Sequence, residues 1–326
     1  MAASNTAVHP IPEAPDLQAI RAAAERIRPY AHRTPVLTCS SLDDMAGAEL
    51  FFKCENLQKV GAFKFRGAAN TVFSLSEDEA SRGVATHSSG NHAQALALAA
   101  RLRGIPAHIV MPENSPKVKV AAVRGYGARI VFCPPTQRDR EQTLERVVAR
   151  TAATFIHPYN NPGIIAGQGT CALELLEQVS DLELVMAPVG GGGLLSGTAL
   201  SCHYLRPGLR VIAGEPKGAD DAFRSLRDGR IYPSENPQTV ADGLRTSLGT
   251  LTFPIIRRYV DRIVTVEEES IVAAMRIIWE RMKILIEPSA AVPFAALLEE
   301  GFDARGKRIG IILSGGNVDL DTLPWQ

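Results

Sequence analysis

Short apolar runs rich in Val, Ile and Leu alternate with helix-like segments along most of the chain, and this alternation limits the fold more than any other feature. The candidate strands are ELFFK (49–53), AHIVM (107–111), ARIVF (128–132), LELVMAPV (182–189), RVIAGE (210–215) and RIGIIL (308–313). Between them the pattern predicts helices over 17–27, 91–103, 117–124, 138–150, 169–179, 194–205, 270–283 and 289–299, with Gly104 and Gly125 as stops. Strands this continuously apolar are buried on both faces. The expectation is therefore an α/β fold with mostly parallel, twisted sheets flanked by helices. At roughly 150 residues per domain, the length points to two domains. Residues 228–245, with their Pro, Gly and Asn, read as loop.

Several classes are excluded early. Lys+Arg and Asp+Glu both number 35, so the net charge is zero and a general nucleic-acid binder is not expected. No run of 18 apolar residues offers a membrane span. The first 17 residues lack a basic start and an apolar stretch, so no secretory signal is expected. Five scattered cysteines without a CxxC spacing read as reduced thiols, and the expected compartment is the cytoplasm.

The sharpest local signal is PVGGGGLLSG, residues 188–197. Four glycines between a buried strand and a helix let backbone N–H groups approach an anion, and the helix dipole adds positive potential. A P-loop would need a lysine where Thr198 stands. A dinucleotide site remains open, because Gly191 and Gly193 give G-x-G and Glu215 ends the next strand. Ser88–His92 (SSGNH) opens a helix with hydroxyls and free amides, which suits a carboxylate or, equally, a simple helix N-cap. Lys64 lies between Phe63 and Phe65 in an apolar stretch, where desolvation would make its amine nucleophilic.

GAFKFRGA, SSGNHAQAL, PVGGGGLLSG, GEPKGADDA and LSGGNVDL together resemble the pyridoxal-phosphate (PLP) enzymes of fold type II, and within them the serine racemase and serine/threonine dehydratase family. The resemblance runs over residues 15–320 in family order and favours PLP over a dinucleotide. It implies that Lys64 forms the Schiff base and takes the substrate's α-proton. It implies that Phe63 flanks the pyridine ring, that Asn91 bonds the ring hydroxyl, and that Gly190, Gly191, Gly192 and Gly193 hold the phosphate. Ser314 would face the ring nitrogen. Ser88, Ser89 and His92 would line the substrate-carboxylate loop, and Arg140 would approach the substrate.

Two further implications refine the subfamily. Ser89 matches the second proton carrier of serine racemases, on the face opposite the lysine; many threonine dehydratases carry alanine there. Glu215, Ala219 (by its carbonyl) and Asp221 match a divalent-cation site suited to Mg²⁺ or Ca²⁺. The implied PLP site lies in a cleft between a large domain, residues 1–76 and 161–326, and a small inserted one, 77–160. The implied activity is dehydration of small β-hydroxy amino acids such as L-serine or L-threonine to keto acid and ammonia, with serine racemisation as a second outcome. The alternatives are 3-hydroxyaspartate dehydration, an NAD-binding oxidoreductase, and a PLP-binding protein without catalysis. The expected assembly is a homodimer acting on a small amino acid, with no membrane or nucleic-acid partner. The chain ends soon after SGGN, so no C-terminal regulatory domain is expected.

Overall fold

The computed structural model describes residues 11–325; the expectation about a secretory signal falls mostly on residues 1–10, outside them. The strands are β1 (Val36–Leu37), β2 (Glu49–Cys54), β3 (Val84–His87), β4 (Ala107–Pro112), β5 (Arg129–Cys133), β6 (Thr154–Phe155), β7 (Leu184–Pro188), β8 (Arg210–Pro216), β9 (Arg262–Val266) and β10 (Arg308–Leu313). They form a six-stranded sheet, β1-β2-β10-β7-β8-β9, and a four-stranded sheet, β5-β4-β3-β6. Every pairing is parallel except β1 with β2. The larger sheet draws strands from both ends of the chain, and the smaller one takes all of its strands from residues 84–155. Apolar clusters line both faces of the larger sheet, as near-continuously hydrophobic strands require.

Most predicted helices form within a residue or two of expectation, and Gly104 caps its helix at φ +75°. The stop assigned to Gly125 falls at Tyr126 and Gly127 instead. The largest boundary error is the helix expected over 169–179, which spans Pro162–Gln178. Its glycines look like breakers in sequence, but they serve packing. A Cβ on Gly167 would lie 2.6 Å from the Cα of Gly67, and one on Gly197 would lie 2.5 Å from the amide nitrogen of Gly169. Helices Lys64–Ser74, Pro162–Gln178 and Gly193–Leu205 therefore cross backbone to backbone at glycines. This contact seats the helix that begins with Lys64 rigidly against the core.

Candidate active site

Adjacent parallel strands deliver the site at their C-terminal ends, where open α/β sheets gather ligands. Beyond β2 the chain makes two 3₁₀ turns and enters the Lys64–Ser74 helix. Ala62 bridges to Gly315 past the end of β10, and the Phe63 N–H donates to the Ser314 carbonyl at 3.0 Å. Lys64 and the buried Ser314 are thereby held side by side. The next strand, β7, runs into Gly190–Gly193. A Cβ there would meet Leu244 Cα at 2.9 Å (Gly190), the Tyr159 ring at 2.3 Å (Gly191) or Ile256 at 2.8 Å (Gly192). Gly192, at φ +86°, caps the helix Gly193–Leu205. The run leaves bare backbone N–H groups at a helix start, which fits a phosphate.

Lys64 is partly exposed, and its Nζ donates to the Pro158 carbonyl at 2.9 Å. The Phe63 ring lies 5.1 Å away. Burial lowers its pKa from 10.5 to about 8, against an upward pull from Glu287. The adjacent Tyr159 rests on Gly191, so one short segment touches both the amine and the glycine run. An amine near neutrality beside an anion cradle fits an aldehyde cofactor with a phosphate handle.

Asn91 begins the helix Asn91–Arg103 after β3. Its Nδ2 donates to both oxygens of Glu287 at 3.0 and 3.1 Å, and its Oδ1 accepts from Asn317 at 2.9 Å. Burial, aided by Asp242, raises the Glu287 pKa to about 7. Sequence reasoning missed both partners. Asn317 stood in the quoted SGGN, and Glu287 is an acid placed just before a proline-initiated helix. In the loop before Asn91, the Ser88 hydroxyl accepts from the Gly90 N–H at 3.3 Å. Ser89 is partly exposed beside it. His92 turns inward: it is buried, its Nε2 lies 3.3 Å from the Ile156 carbonyl, and burial holds its pKa well below the usual range.

Arg140, on the helix Gln137–Thr151, lies within electrostatic reach of His87, and its buried Nε has no hydrogen-bond partner. No contact brings it to Lys64 among the described residues. Glu215 is the penultimate residue of β8, and its two oxygens accept from the N–H groups of Ala222 (2.8 Å) and Phe223 (2.7 Å). Burial raises its pKa to about 9. Asp221 is also buried, both of its oxygens lack hydrogen-bond partners, and burial raises its pKa to about 6. Ala219 lies buried beside them. Among the described residues no cluster of three or more His, Cys, Asp or Glu is placed to hold a metal; the expected set has two carboxylates and a carbonyl.

A second missed group is Arg66, buried two residues beyond Lys64. It bonds Glu55 at 2.7 and 2.8 Å and Glu174 at 2.8 Å twice. Lys53 joins through Glu174 at 2.7 Å. All five cysteines are free, and four are buried. No helix among the described residues is long and apolar enough to cross a membrane.

A lysine of lowered pKa, joined through the Pro158–Tyr159 segment to a glycine run that would admit a phosphate, suits an enzyme that works through a bound phosphorylated aldehyde. Residues 27–315 match the pyridoxal-phosphate dependent enzymes, and the chain belongs to that family. It is 52% identical over 312 residues to a β-hydroxyaspartate dehydratase of Paracoccus denitrificans, covering 96% of this chain and 99% of that protein. It is 50% identical to a serine racemase of Dictyostelium discoideum, covering 94% and 96%. A maize serine racemase structure superposes with a TM-score of 0.94 at 50% identity, covering 96% of each chain. The expected fold type, family and cofactor stand on these findings. The NAD alternative falls with them, and Glu215 is occupied in capping the following helix instead of facing a ribose.

Proposed function

We propose that this enzyme is an ammonia-lyase that dehydrates small β-hydroxy amino acids, with racemisation as a second outcome. The observation that carries the reading is the Lys64 amine, brought to a pKa of about 8 and held by a single carbonyl. Lys64, Asn91, Ser314 and the glycine run would hold PLP, which when bound would supply an electron sink for the pair released at the substrate's α-carbon. The protein's own groups do the rest. Lys64, neutral in a useful fraction near pH 7, takes the α-proton at Nζ. The start of the Asn91–Arg103 helix and the Ser88–Ser89 loop receive the α-carboxylate. Asn91 is fixed between Glu287 and Asn317, so its amide is oriented before any ligand arrives. Ser89 carries a proton on the opposite face.

A 3-hydroxyaspartate substrate is the second reading. It is favoured by Arg140, whose partnerless Nε could meet a second carboxylate, and by the dehydratase named among the relatives. Residues 77–160 form the smaller domain, whose closure would bring Arg140 and Ser89 to the substrate and exclude water. The partnerless oxygens of Asp221 beside Glu215 suit Mg²⁺ or Ca²⁺, with Ala219 contributing a carbonyl. We place the enzyme in the cytoplasm as a homodimer; the free cysteines support the first assignment. The deciding experiment assays ammonia from L-serine, L-threonine and the 3-hydroxyaspartate isomers. Release from none of them would overturn the dehydratase reading.

A further inference from the structure

His157 follows β6 and immediately precedes Pro158, the residue whose carbonyl holds the Lys64 amine. Its Nδ1 accepts from two backbone N–H groups, those of Tyr159 at 3.3 Å and Asn160 at 3.0 Å. A nitrogen that accepts twice carries no proton, so the proton of the neutral ring sits on Nε2. The ring is wedged by Tyr159, edge-on at 4.5 Å, and by Phe155 at 5.7 Å. Its orientation is therefore fixed. Nε2, on the far side of the ring from the turn, has no protein partner among the described residues. The charged groups that act on the ring are His87, next to Ser88, and Lys64. Burial comes first among the influences, and together they lower its pKa to about 4. The ring is thus neutral at working pH, and its Nε2–H lies on the side of the ring away from the turn, in a segment whose next residue holds the Lys64 amine.

A β-hydroxy amino acid brings three polar groups into such a site. The amine would take the place of Lys64 at the bound aldehyde, and the α-carboxylate would go to the loop before Asn91. The β-oxygen still lacks a partner. We propose that His157 is a specificity-determining residue that donates one hydrogen bond, from Nε2–H, to the oxygen on the substrate's β-carbon. It orients that oxygen without giving up its proton, since losing it would leave an imidazolate. The inference rests on the dehydratase reading.

The test uses the holoenzyme and two substrates with different leaving groups. The hydroxyl of L-serine departs as water, taking up the proton that Lys64 removed from the α-carbon, and needs an oriented, hydrogen-bonded oxygen; chloride departs from β-chloro-L-alanine as the anion and does not. His157→Asn keeps an acceptor for the two N–H groups of the turn, and His157→Gln keeps a donor near the Nε2 position. His157→Asn should lower kcat/KM for L-serine at least about tenfold relative to β-chloro-L-alanine, the scale of one lost donor. His157→Gln should recover much of that ratio. Selective ¹⁵N labelling should show His157 as the Nε2–H tautomer from about pH 6 to pH 8. An unchanged ratio in His157→Asn, equal losses on both substrates, or an imidazolium signal in that range would overturn the proposal. A wild type that eliminates chloride but never releases ammonia from a β-hydroxy amino acid would overturn the dehydratase reading itself.

Discussion

Lys64 and Arg66 stand two residues apart on one helix and carry their cations into the same interior, yet their surroundings differ completely. Arg66 makes paired hydrogen bonds to Glu55 and Glu174, and Lys53 completes a set of two positive and two negative charges. Burial pulls the Arg66 pKa down, but the two carboxylates outweigh it and hold it well above the ordinary value. Lys64 has one carbonyl and an unbonded Glu287, so burial wins and its pKa falls to about 8. Burial is common to both; incomplete pairing is what makes one of them reactive.

The largest effect should come from Lys64→Ala. Removing the base and the point of cofactor attachment should lower ammonia release by at least ~10²–10⁴-fold. It should also abolish the visible absorption of covalently held PLP, read on purified protein. Turnover close to wild type would place the chemistry elsewhere. Arg66→Met should act on stability, because it strands Glu55 without its partner. Breaking a buried ion pair costs about 3–5 kcal/mol, to be read as a lower urea midpoint.

The contrast sharpens in the cofactor-free protein, where the two positions should respond with opposite sign. The folded-state pKa of Lys64 lies below its unfolded value of 10.5, so folding disfavours the proton. That penalty is fully present below about pH 8 and fades as pH rises toward 10.5. Lys64→Met should therefore stabilise the cofactor-free protein below pH 8, by at most about 3 kcal/mol from the linkage relation. The gain should shrink toward pH 10. A Lys64→Met protein that is less stable at pH 7, by urea titration, would show that the amine is paired after all.

Glu215 and Asp221 repeat the same lesson with carboxylates, since Asp221 is buried with both oxygens unmatched. If a divalent cation balances them, it stabilises the native state by mass action, about 2.7 kcal/mol at a hundredfold excess over Kd. Chelation should lower the thermal midpoint and the rate, and Mg²⁺ or Ca²⁺ should restore both. Glu215→Ala should remove that response. Indifference of midpoint and rate to the chelator would dismiss the site.

Much of this molecule was legible from the sequence because its strands are uniformly apolar and its motifs local. The alternation predicted parallel sheets, and the glycine run stood out because one turn needs one positive φ, here at Gly192, and not four glycines. Helix Pro162–Gln178 was misplaced because Gly163, Gly167 and Gly169 look like breakers unless the facing Gly67 and Gly197 are known. Arg66 was passed over for a related reason: its partners Glu55 and Glu174 are 11 and 108 residues away. Glu287 and Asn317 reach Asn91 across 196 and 226 residues. Pairings at such separations are set by strand order, and no local pattern reports them.

The smallest effect on L-dehydration, and the most discriminating test, belongs to Ser89. On the proposed reading Lys64 is the base on one face of the substrate, with a pKa lowered by burial without a bonded counter-charge. Ser89 stands in the loop before Asn91, and a lone hydroxyl there would carry a proton only to or from the opposite face. Ser89→Ala should therefore abolish racemisation of serine in both directions. It should change dehydration of the L-substrate less than about twofold, since that reaction needs only Lys64. Dehydration of the D-substrate, whose α-proton points at Ser89, should fall with the racemisation. Both products must be measured from both enantiomers, in wild type and mutant. Equal losses of L-dehydration and racemisation would mean that Ser89 only shapes the loop, and a wild type that never racemises would leave it a carboxylate contact. In either case the asymmetry of the site would rest on Lys64 alone.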